Sequence, residues 1–178
     1  MVDRHFGSQE MSLLAKALEV AEDSVSDHYQ LSDASWGQYP YELLTLAQLK
    51  PEEVTHKALA QVLRLRQPPR QGHIRGKDFY RICLQDHNLK HLLKREGEWG
   101  LFPALLTYVV VHELIHVVRF YRFMHLYDSN PRERRIEEAT VHRTTADILK
   151  KVRLPHLHDV LNFYEKHSEP EWALPAQA

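Results

Sequence analysis

The stretch LTYVVVHELIHVVRF, Leu106–Phe120, sets two histidines and a glutamate inside what otherwise reads as a buried segment. The positions around them, Val109, Val110, Leu114, Ile115, Val117 and Val118, are apolar, so the spacing predicts a central helix rather than one with a solvated face. Burying polar groups without partners costs several kcal/mol, so His112, Glu113 and His116 must have something to bind. Residues four apart on a helix lie one turn above each other, which lets His112 and His116 present both imidazoles to one point. Glu113 falls about 100° further round.

Outward from this helix the chain reads as mainly α. Leu13, Leu14, Ala17, Leu18, Ala21 and Val25 recur at helical spacing and predict a helix over 10–29. LKPEEVTHKALAQVLRLRQPPRQG reads as a second helix, opened by Pro51 and closed by Pro68 and Pro69. Residues 73–84, HIRGKDFYRICL, are the one place for a strand or hairpin, which makes the fold class mainly α or α+β. DHNLKHLLKREGE predicts a short helix, 101–127 a long one, and the turn DSNP returns the chain into a helix over 132–152 that packs antiparallel to it. A last helix over 156–167 completes a single domain, 1–167, ahead of a loose tail, 168–178.

Composition narrows the classes of partner. With 23 basic against 24 acidic residues and no dense basic run, neither nucleic acid nor a membrane surface is expected. A single cysteine, Cys83, fits a reducing compartment, and no signal-like apolar core is seen near the start, so the expectation is a cytoplasmic protein. The unusual count is 13 histidines. His112, Glu113 and His116 spell H-E-x-x-H, in which two histidines bind zinc and the glutamate is a general base.

A catalytic zinc site wants a third protein ligand and an open position for water. His125, nine residues on, would lie about 13 Å along the axis and on the opposite side. A longer signature with a third histidine six residues on is excluded, because Arg122 and Arg119 occupy its histidine and glycine places. The next helix, NPRERRIEEATVHRTTADIL, offers Glu133, Glu137, Glu138 and His142. Glu138 falls closest to the less polar side defined by Val141, Thr145, Ile148, Leu149 and Val152, with Glu137 at the opposite margin.

VVVHELIHVV, followed about twenty residues later by EEATVH, resembles the gluzincin group of zinc metallopeptidases. The resemblance covers residues 107–147. It implies His112, His116 and Glu138 as zinc ligands, Glu113 as the base that activates a zinc-bound water, and a peptide or protein as substrate. His142 stands where the family pattern E-x-x-x-D has an aspartate that orients a zinc histidine, leaving Glu137 and His142 as alternative ligands. Two other classes share these residues. Glu53–His56 is a second E-x-x-H, so a di-iron helical bundle would draw on both motifs with Glu19 or Glu22 and Glu138. A noncatalytic, metal-stabilised helical binding domain would close the site with protein ligands at all four positions.

Overall fold

The computed structural model describes residues 4–67, 77–96 and 99–166. Its centre is the helix Phe102–Arg122, in which seventeen residues from Phe102 to Phe120 are buried. Pro103 in its first turn pre-sets the helical backbone where no hydrogen bond is lost. At the other end Phe123 leaves the helical region (φ −133°, ψ 72°), and a short 3-10 turn over Met124–Leu126 replaces the continued helix expected to 127.

In chain order the helices are α1 (Ser8–Tyr29), α2 (Asp33–Trp36), α3 (Asp86–Glu96), α4 (Phe102–Arg122), α5 (Pro131–Leu149) and α6 (Leu157–Lys166). The strands are β1 (Tyr41–Leu44), β2 (Ala60–Arg66) and β3 (Asp78–Leu84). The fold is therefore mainly α with a small three-stranded sheet. Helices α1, α5 and α6 and strand β2 pack on α4. Among the described residues α4 alone is long and apolar enough to cross a membrane, yet its apolar window is 89% buried within the fold, which accounts for its hydropathy as a core helix.

The sheet corrects one expectation. Residues 60–66 form strand β2 and not a helix, and among the described residues of that segment only Pro51–Glu53 makes a 3-10 turn, while its expected end at Pro68 and Pro69 lies outside the described residues. Strand order is β1-β3-β2, with β1 parallel to β3 (Glu42↔Arg81) and β2 antiparallel to it (Val62↔Ile82). The anticipated strand is thus β3, and it lies in the middle, paired on both sides, so its backbone has no edge to offer a peptide. The expected residues 73–76 of that element, and the tail 168–178, lie outside the described residues.

Alternation decides which face meets the helices. Ala60 and Val62 on β2, Tyr80, Ile82 and Leu84 on β3, and Tyr41 and Leu43 on β1 share the face that joins the core with α4. The irregular chain between β1 and β2 is tied down by the residues that lead into α3. Gln85 accepts from Thr55 N–H (3.0 Å) and donates to the Glu53 carbonyl (3.0 Å), while Asn88 donates to the Thr55 and Ala58 carbonyls (2.9 and 2.6 Å). Asp86 accepts from the Phe6 and Leu46 amides.

Helix α5 starts on a reciprocal cap. Asn130 Oδ1 accepts from Glu133 N–H at 2.9 Å and Glu133 Oε2 accepts from Asn130 N–H at 3.1 Å, with Pro131 next in line. Glu133 is thereby accounted for as a capping residue. Asn130→Ala should lower stability by about 1 kcal/mol, read as a shift of the urea midpoint at constant slope. A change below ~0.3 kcal/mol would show that the cap contributes little.

Candidate metal centre

The α4–α5 pairing brings the predicted ligands together. His112, on the inward face of α4, is fully buried, and His116, one turn on, is 5% exposed. Glu138 reaches across from α5. His112 Nε2 lies 3.3 Å from Glu138 Oε2, and His116 Nε2 lies 3.1 Å from Glu138 Oε1. The three residues form a group whose ligand atoms all lie within 4.8 Å of one another, able to hold a metal ion.

Each oxygen of the Glu138 carboxylate faces one of the two imidazoles, Oε2 that of His112 and Oε1 that of His116, so one ion could meet all three side chains. Two imidazoles and a carboxylate are also the donor set of three-ligand catalytic zinc sites.

Charge in the site is dominated by burial and by Glu138. Burial works to raise the Glu138 pKa, yet the hydrogen bonds of His112 and His116 hold its carboxyl well below the usual range. Desolvation drives His112 the other way, down to about 3. For His116 burial also disfavours the charged form, but the surrounding carboxylates of Glu138, Glu113 and Glu137 outweigh it and raise its pKa. Glu113 is 2% exposed, and burial, helped by Glu138 and opposed by His116, pushes its pKa up to about 8.

Of the other candidates, Glu137 and His142 are placed elsewhere. Glu137 lies in line with Val141, Thr145 and Ile148 on the buried stripe of α5, not at its margin, and is itself buried. Arg119 of α4 grips it twice, Nε to Oε1 at 2.7 Å and Nη2 to Oε2 at 2.8 Å. His142 pairs through Nδ1 with the Tyr108 hydroxyl at 2.8 Å, and its ring stands 4.5 Å from that of His112. Tyr164 of α6 stacks on Tyr108 at 4.5 Å beside the site, whereas His156 and His158, in the segment that leads into and begins α6, are exposed.

The remaining acids and histidines are engaged away from it. Asp128 pairs with Arg64, and His125 is exposed in the turn after α4. Glu53 and His56 are not on a helix: Glu53 accepts from Arg81, and the His56 ring meets that of His87 edge-on at 4.9 Å. Glu22 accepts from the Tyr41 hydroxyl and Glu19 is exposed. The Arg119–Glu137 pair and the Tyr108–His142–Tyr164 stack were not anticipated from the sequence. Helical spacing held part of the signal, since Tyr108 and His112 are four apart, as are Glu138 and His142.

No protein-family model, no curated protein and no solved structure matches this chain.

Proposed function

We propose that the chain is a zinc-dependent metallopeptidase in which His112, His116 and Glu138 hold the ion and Glu113 is the general base. The observation that carries this reading is the convergence of His112, His116 and Glu138, from two adjacent helices, with ligand atoms within 4.8 Å of one another and Glu113 on the turn between the histidines. Three protein ligands leave a position for water or substrate, as catalytic zinc sites do and closed structural sites do not. The zinc ion supplies a Lewis acid that polarises a peptide carbonyl and acidifies water. Glu113 in its ionised form would take a proton from water and return it to the leaving amine, and burial, which raises its pKa, makes its carboxylate a stronger base than an exposed one.

Gln85 N–H bonds the Leu59 carbonyl and Gln67 N–H the Lys77 carbonyl, so odd-numbered residues of β2 turn towards β3. Even-numbered ones such as Val62 turn their amide and carbonyl to the outer side, where the Tyr127 hydroxyl already accepts from the Arg64 amide at 3.1 Å, so only part of this edge is open to an added strand.

Metal analysis of the purified chain and of Glu113→Gln tests the reading. One zinc per chain is expected in both, with hydrolysis of an unfolded protein substrate reduced by about 10²–10⁴ in the variant. Two irons per chain, no metal, or equal activity in the two proteins would overturn it. Zinc in both proteins with no hydrolysis by either would favour the metal-stabilised binding domain.

A further inference from the structure

The two ring nitrogens of His116 each face a carboxylate. Nε2 lies 3.1 Å from Glu138 Oε1, and Nδ1 lies 3.9 Å from Glu137 Oε1. Nδ1 is buried and has no hydrogen-bond partner among the described residues, and the Glu137 carboxylate is the acceptor that faces it. A neutral imidazole carries one N–H and can therefore serve only one of these two acceptors. If the proton sits on Nε2, the Nδ1 lone pair points at the Glu137 carboxylate. If it sits on Nδ1, the Nε2 lone pair points at Glu138, and that arrangement becomes favourable when a cation stands between them.

Glu137 cannot simply turn away from this conflict. Both its oxygens are held by the Arg119 guanidinium, at 2.7 and 2.8 Å, and Arg119 in turn lies beside Tyr29 of α1. Three helices thus fix a carboxylate at the back of one histidine while a second carboxylate waits at its front. Metal-ligating histidines generally donate their other N–H to such a partner, which sets the tautomer and strengthens the ligand. At the place four residues after Glu138, where the family pattern has its orienting aspartate, His142 is bound to Tyr108.

We propose that Glu137, clamped by Arg119, is the positioning residue of His116: it accepts the Nδ1 proton and so presents Nε2 to the metal alongside His112 and Glu138. This inference rests on the metal site of the proposed function but assigns a role to Glu137 and Arg119 that ligand identity alone does not require. Glu137 is then neither a ligand nor a surface acid. Its carboxylate acts through His116.

Two measurements on zinc-loaded protein test it. In the wild-type chain, long-range ¹H–¹⁵N correlation of the His116 ring should show a protonated Nδ1 with a low-field, exchange-protected proton. In Glu137→Ala that proton should move upfield or broaden away, and the zinc dissociation constant from chelator competition should rise about 10–100-fold. Arg119→Lys, which keeps the charge but loses the two-point grip, should fall between. A loaded wild-type His116 protonated at Nε2 overturns the proposal even if the variants do not fold, as does an alanine variant that binds zinc within twofold of wild type. Wild-type protein that takes up no zinc overturns the metallopeptidase reading itself. Wild-type binding with an indifferent Glu137 overturns only the positioning role.

Discussion

Glu138→Ala should remove stoichiometric metal binding while leaving the chain folded. Glu138 is the only residue of the group that touches both imidazoles, at 3.3 and 3.1 Å, and it is the only carboxylate in it. Structural zinc sites of four ligands are worth about 10–16 kcal/mol. Losing one of three protein ligands therefore costs roughly 3 kcal/mol or more, a weakening of at least about 100-fold. Its side chain is 29% exposed at the surface of α5, so truncation opens no cavity in the core. The metal-free variant should unfold within ~1 kcal/mol of wild type. Zinc titration against a chelator, with urea unfolding of the metal-free proteins, gives both quantities. Among alanine variants the order of lost affinity should run Glu138 well ahead of Glu137, with His142 behind both. Loss of metal from His142→Ala comparable to that from Glu138→Ala would mean that the ligand set is wrong.

The sequence made the site more legible than the sheet, for reasons that differ in range. His112 and His116 are four residues apart on a helix whose apolar surroundings are continuous, so their convergence is a local property. The short DSN turn forces α5 back along α4, and one helical projection then chooses among the acids. That projection turned Glu138 towards α4, where it faces His112 and His116, but put Glu137 at a margin of the stripe on which it lies. Arg119, on another helix, makes burial of Glu137 tolerable, and a projection of α5 alone does not contain that contact.

Strand β2 was misread because KALAQVLRLR is rich in good helix formers, and its alternation is confined to VLRLR. What makes it a strand is a ladder with β3, a partner some twenty residues later, and such pairing overrides local propensity. Strand β1 is four residues, YELL, too short for any period to show. Its place is set by parallel pairing with β3, a contact that no local pattern encodes. The helices were found because their information is written every three or four residues.

The same non-local sheet carries the largest stability effect expected outside the core. Arg81, in the middle of β3, donates through Nε to Glu42 at 2.6 Å and through Nη1 to Glu53 at 2.5 Å, joining its parallel neighbour β1 and the turn before β2. The Glu42 side chain is 39% exposed and that of Glu53 only 5%, so the two pairs are unequal. Arg81→Met leaves Glu53 buried without its counter-charge and should destabilise the fold by about 3–5 kcal/mol. Burial works to raise the Glu53 pKa from 4.5, yet the Lys50 amide and the Arg81 guanidinium outweigh it and lower it. In the wild-type chain its folded pKa thus lies below the unfolded one. The stabilisation is complete above the unfolded value and is lost as pH falls through the folded one. Without Arg81 that balance tips towards the neutral acid, so the penalty at pH 7 should shrink as Glu53 takes up a proton on acidification. Urea unfolding of both proteins from pH 7 to pH 4 should therefore show a narrowing gap. Arg81→Met combined with Glu53→Leu, which removes the buried charge as well, should recover most of the loss at neutral pH. A gap that stays constant with pH, or a double variant no better than the single one, would place the role of Arg81 in packing rather than in charge.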